Sequence, residues 1–137
     1  MNCFVDTSAF LAFLDRDDDH HSEAAQVWKV LLRGPVRLAT TNYVLVELLA
    51  LIQNRLGLRA VRAFEGSMRP ALTVHWVDSG LHEVGLASLL SQSRRRLSLV
   101  DCVSFEFMRR SGIKHYFAFD RHFREQGFDP VESSSQS

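Results

Sequence analysis

Cysteine is almost missing from this chain. Cys3 and Cys102 are the only two in 137 residues and form no C-x-x-C pair, which excludes a disulfide framework and a thiolate metal site. Each reads as a reduced, buried thiol packing as a small hydrophobe. Long apolar runs are missing too, so no segment reads as a membrane span. Residues 1–6 lack the basic start and apolar stretch of a secretory signal. The expectation is a cytoplasmic protein with no membrane association. Net charge is also absent, because 16 Lys+Arg balance 16 Asp+Glu, which argues against attraction of the whole surface to nucleic acid. Lysine itself is scarce: Lys29 and Lys114 are the only two, and the other basic residues are Arg.

What remains is an ordinary domain composition, 46% hydrophobic and 23% charged. The length suits one domain, expected over residues 1–131. Residues 132–137 read as a polar, disordered tail. Charge is unevenly spread. Residues 94–124 carry eight basic side chains (Arg94, Arg95, Arg96, Arg109, Arg110, Lys114, Arg121, Arg124) against three acids. Asp15, Asp17, Asp18 and Asp19 make the start acidic. Arginine suits bidentate phosphate contacts, so Arg94, Arg95, Arg96, Arg109, Arg110 and Arg121 are candidates to hold RNA phosphates. A solvated arginine-rich face is the competing reading.

Apolar patterning alternates short strands with helices. Strands are expected at 3–5, 36–39, 73–77 and 115–119, with an edge strand starting at 130. Helices are expected over 7–14, 20–32, 42–55, from 58 to before Pro70, over 80–94, over 99–110 and from 121 to 126. Such alternation implies an α/β protein with a parallel sheet covered on both faces. Trp28 and Trp76 read as core, and His20-His21 as a solvated helix start.

Four acids stand out against this pattern. Glu47 interrupts the run Tyr-Val-Leu-Val-Glu-Leu-Leu-Ala-Leu-Ile over 43–52. A helix apolar all round is a buried helix, and a lone carboxylate inside one needs a partner or a metal; a narrow solvent stripe or an arginine partner is the alternative. Asp6 and Asp120 each follow an apolar strand and precede a helical segment. In open parallel sheets that is the edge where ligands bind, although aspartate also caps helices routinely. Asp101 sits in Ser98-Leu99-Val100-Asp101, close to a capping box. Were all four to converge, their repulsion would need offsetting cations, and oxygen-only ligands select hard ions, Mg²⁺ or Mn²⁺.

The segments around these acids resemble a known family. Phe4-Val5-Asp6-Thr7-Ser8-Ala9-Phe10 is similar to the opening motif of PIN-domain ribonucleases. Thr41-Asn42-Tyr43-Val44-Leu45-Val46-Glu47 resembles the segment with their second acid, and Leu97-Ser98-Leu99-Val100-Asp101-Cys102 that with the third. Phe119-Asp120-Arg121-His122-Phe123 followed by Gly127-Phe128 resembles the closing motif. The motifs occur in family order across nearly the whole chain, and the compact length is most like the VapC-type toxins of toxin–antitoxin pairs.

The resemblance implies a three-layer α/β/α fold with about five parallel strands. It implies that Asp6, Glu47, Asp101 and Asp120 are catalytic and hold Mg²⁺ or Mn²⁺, with Thr7 or Ser8 in support. It further implies hydrolysis of RNA phosphodiesters leaving 5′-phosphate ends, a cognate antitoxin and a homodimer. The alternatives are a stand-alone RNA-processing nuclease and a PIN-like module that binds RNA or a partner without cutting. A phosphoacceptor receiver domain competes at the fold level, but it needs a second acid beside the first and a lysine at a strand end. Here Asp6 is followed by Thr7-Ser8, and Lys114 precedes its strand.

Overall fold

A computed structural model describes residues 1–92 and 97–131. The tail at 132–137 and Arg94, Arg95 and Arg96 lie outside the described residues. The elements run β1 (Asn2–Val5), α1 (Thr7–Leu14), α2 (His21–Arg33), β2 (Arg37–Thr41), α3 (Asn42–Leu56), α4 (Leu58–Ala63), β3 (Leu72–His75), α5 (Ser79–Leu90), α6 (Leu99–Ser111), β4 (His115–Phe117), α7 (His122–Glu125) and β5 (Asp129–Pro130). After α4 the chain continues as a π turn (Phe64–Met68) and a 3₁₀ turn (Arg69–Ala71) before entering β3.

All five strands are parallel, in the order β3-β2-β1-β4-β5, and with their helices they make three layers. The first strand therefore sits at the centre. The chain winds outward through β2 and β3, then returns to the other side of β1 for β4 and β5. The order reverses between β1 and β4, and the crevice at the carboxyl ends of those two strands is where open α/β sheets bind ligands.

Side chains alternate across the sheet, and the aromatics sort accordingly. Phe4 and Tyr116 are register partners and share one face, where Phe123 lies 5.8 Å from Phe4 and 5.0 Å from Tyr116, ring centre to ring centre. Phe117 points to the other face and meets Trp28 at 5.3 Å, which in turn meets Phe10 at 5.5 Å. Each fully buried side chain of this size contributes roughly 1.5–3 kcal/mol, so both faces hold the sheet flat against its helices. Packing is tightest between α5 and α6, where a Cβ on Gly85 would stand 2.4 Å from Val103 Cγ2.

Helix ends follow the capping chemistry. Thr41 Oγ1 accepts from Val44 N at 3.3 Å to start α3, and Asp78 Oδ1 accepts from Leu81 N at 2.8 Å to start α5. Gly112 closes α6 with φ 69°, a left-handed conformation that suits glycine. Three readings need correction. α5 ends at Leu90, short of the expected 94. β4 ends at Phe117, so Ala118 and Phe119 form a connector and Asp120 stands three residues beyond the strand. Trp28 is core as expected, but Trp76 is 63% exposed just after the edge strand β3.

Candidate active site

Asp6 directly follows β1, and its N–H donates to Phe117 O at 3.1 Å, carrying the β1–β4 pairing one step past the strand. It occupies the N-cap position of α1, yet its side chain makes no capping hydrogen bond. The bland explanation for this acid is thus not taken up. Its carboxyl is only 4% exposed. Ser8 Oγ donates to Asp6 Oδ2 at 3.3 Å and accepts from Phe119 N at 2.9 Å, so one hydroxyl ties the first acid to the connector that leads to the last.

The other three acids are each fixed by one oxygen. Thr7 Oγ1 donates to Glu47 Oε1 at 2.6 Å. His122 N donates to Asp120 Oδ1 at 3.0 Å. Ser98 N donates to Asp101 Oδ2 at 3.0 Å while Asp101 N donates to Ser98 Oγ at 3.1 Å, a complete capping box at the start of α6. Anchoring one oxygen sets the direction of the other, as supporting hydrogen bonds do around metal ligands.

The acids feel one another. Burial pushes the Asp6 carboxyl up to about 8, and repulsion from Asp120, Asp101 and Glu47 adds to it against a backbone hydrogen bond from Thr7. Asp120 is also raised, chiefly by burial and then by Asp101; hydrogen bonds from the His122 backbone and from Asp6 pull the other way, as does the charge on His122. Asp6 is the hub: its carboxyl carries the repulsion of all three others.

This donor set suits a hard divalent cation. It is all carboxylate and hydroxyl oxygen, and its buried member, Asp6, is held near neutral by burial first and by the neighbouring acids second. Among the described residues, no three His, Cys, Asp or Glu side chains are drawn together tightly enough to cage an ion.

The helix bearing Glu47 is not buried all round as its sequence implies. Val46 is 68% exposed and Ala50 is exposed, and Glu47 is half-buried on the margin between solvent and core. Glu47 earns its place through Thr7 and not through confinement in an apolar core. It lines a shallow, mostly apolar hollow with Asn42, Tyr43, Val46 and Val100.

The arginines divide. Arg121 lines a cleft of about 350 Å³ that Asp120 also lines. Arg109 and Arg110 sit at the far end of α6 from Asp101; Arg109 belongs to a hollow with Lys114 and Asp129, at the starts of β4 and β5. Their sequence nearness to Asp120 does not bring them to the acids. Arg124 and His20 also line the Asp120 cleft; the sequence counted Arg124 only in the basic stretch and read His20 as a solvated helix start, and made neither a site candidate. His20 lies about 100 residues from Asp120, and only the fold joins them.

The profile of the PIN domain matches residues 3–129. The chain is 35% identical over 129 residues to the 23S rRNA-specific endonuclease VapC20 of Mycobacterium tuberculosis, in the strains CDC 1551 / Oshkosh and ATCC 25618 / H37Rv, covering 93% of this chain and 96% of the relative. The crystal structure of Mycobacterium tuberculosis VapC20, a sarcin–ricin loop cleaving toxin, superposes with a TM-score of 0.83 at 34% identity, covering 95% of this chain and 98% of that one.

Proposed function

The chain belongs to the PIN domain family, and from that premise we propose that it is a divalent-metal-dependent endoribonuclease that cuts 23S rRNA in the sarcin–ricin loop, as the toxin of a toxin–antitoxin pair. The observation that carries this reading is the gathering of Asp6, Glu47, Asp101 and Asp120 at one end of β1 and β4, with Asp6 buried among like charges. These four acids would hold Mg²⁺ or Mn²⁺. A cation bound there lowers the pKa of a bound water and offsets charge growing on the phosphorus oxygens.

The protein's own groups do the rest. Asp6 would hold the ion in its deprotonated form. Thr7 holds Glu47, Ser8 holds Asp6, and the α6 cap holds Asp101, each by the hydrogen bond described. Asp120 also lines the cleft, so it is placed to accept the proton of the attacking water. Water adds to phosphorus, the bond to the 3′ oxygen breaks, and a 5′-phosphate end remains. Similarity to VapC20, named as a 23S rRNA-specific endonuclease, supports this choice of substrate. An antitoxin that silences this edge would have to offset the same acids, and an arginine from the partner does so directly. A homodimer completes the proposal, and light scattering tests it.

The central test incubates the purified protein with 23S rRNA and with a synthetic sarcin–ricin hairpin, in Mg²⁺, in Mn²⁺ and in EDTA, and maps 5′ ends. One new 5′-phosphate end, present with metal and absent with EDTA or with Asp6→Asn, is expected. Cleavage that survives both EDTA and Asp6→Asn overturns the proposal.

A further inference from the structure

The cleft beside Asp120 is lined by two unlike kinds of group. In its lining, His20 lies flat on Phe119, with ring centres 4.6 Å apart and planes 12° from parallel, and His20 is exposed, so the stack has a free outer face. Arg121 and Arg124 line the same cleft and are exposed, and among the described residues neither forms an ion pair. The cleft's volume of about 350 Å³ falls in the range of small-ligand pockets, roughly 300–1,000 Å³. Glu23 also lines the cleft; its charge repels phosphate, so the phosphate is left to the two arginines and the base to the His20 stack.

We propose that this cleft is a nucleotide subsite: it takes the RNA nucleotide next to the scissile phosphate, stacks its base on His20 and holds its phosphate with Arg121 and Arg124. The subsite rests on the ribonuclease reading but adds to it, because none of these three side chains is among the four acids. Stacking on an aromatic face tolerates any base, and a flat His–Phe pair is a rigid platform for it. Arginine supplies the forked donors that phosphate accepts. Asp120 lies in the same wall, so a nucleotide seated here presents its neighbouring phosphate to the acids. His20 and the two arginines are positioning residues that bind substrate without entering the bond change.

Two measurements test the subsite separately from the chemistry. The first titrates GMP, and inorganic phosphate alone, into metal-free protein and follows the His20 ring protons by NMR. GMP is expected to move them, and phosphate alone is not. The second compares steady-state cleavage of the sarcin–ricin hairpin by the wild type, His20→Ala, His20→Phe, Arg124→Ala and Arg124→Lys. His20→Ala is expected to raise KM about tenfold with kcat within about twofold, and His20→Phe to restore KM; a merely structural role would move melting temperature, not this split. Arg124→Ala is expected to raise KM about fivefold, with Arg124→Lys between it and the wild type. Unmoved ring protons together with unchanged KM in both alanine variants overturn the subsite while leaving the ribonuclease reading intact. The same result with weakened binding of a protein inhibitor also overturns it, and makes the cleft a partner surface. Absence of metal-dependent cleavage by the wild type sinks the ribonuclease reading instead, and the GMP titration still reads the cleft.

Discussion

The two ends of α6 belong to opposite edges of the same sheet and treat charge in opposite ways. At its start, Asp101 joins three other acids, and their charges repel one another around the buried Asp6. At its end, Arg109 is settled: it bonds Glu106 at 3.3 Å and Gln126 at 2.6 Å and lies 5.5 Å over the Phe128 ring. The second arrangement is what folding stability selects. The first opposes it, since buried like charges weaken a fold, and such local violations mark sites that serve something besides stability.

Neutralising an acid at the first edge and a base at the second should separate them most sharply. Asp120→Asn is expected to cut metal-dependent cleavage by about a thousandfold or more, the scale of losing a group used only in the transition state. Lys114→Ala at the opposite edge is expected to leave it within about twofold. Comparable losses from both, measured on the same hairpin, would break the contrast.

The next effect is in pH. Asp6 holds its proton in the metal-free fold up to about pH 8, against an ordinary value of 3.8. Between those limits unfolding releases a proton, so the stabilising share is full below about pH 4 and is lost as pH climbs towards 8. Denaturant melts without metal should weaken over that window, by up to a few kcal/mol. Asp6→Asn should flatten the profile, and saturating Mg²⁺ should reverse its slope. A metal-free profile that strengthens from pH 4 to 8 would contradict the raised carboxyl.

Much of this was legible in sequence because fold and site share one grammar. Alternating apolar segments gave the parallel sheet, and the acids at strand ends followed from it. Asp101 was legible as a cap, and the structure shows it also facing Asp6 and Asp120 electrostatically. Glu47 was chosen for an imperfect reason, since composition along 43–52 hides that Val46 and Ala50 face solvent. Exposure of Trp76 was hidden for a related reason: a β-rich run does not say that its strand is an edge. The arginine count over 94–124 merged both ends of α6, because sequence windows know nothing of the roughly 1.5 Å rise per residue that carries Arg109 away from Asp101. The His20–Phe119 pair has no sequence signal at all, since only β4's place beside β1 brings the two together.

Ser98→Ala should have a smaller effect on both counts. Loss of the N-cap costs about 1 kcal/mol, and a freed Asp101 should weaken Mg²⁺ binding about tenfold, read by calorimetry alongside the melt. Unaltered Mg²⁺ affinity would mean the cap serves the helix alone. Arg109→Ala is expected to have the smallest effect. Its ion pair is surface-exposed and its ring contact is partly solvated, so the melt should lose less than about 1 kcal/mol. A larger loss would show that this edge is more than ordinary surface.

The central place of β1 sets a schedule. The strand that leads into Asp6 comes first in this fold, but its neighbour β4 and the connector to Asp120 come more than 100 residues later. Until residue 120 has docked beside β1, Phe117 O and Phe119 N are not there to meet Asp6 and Ser8. The four-acid site is thereby incomplete until nearly the whole domain has been made. Its first acid waits in the half-built sheet for the last.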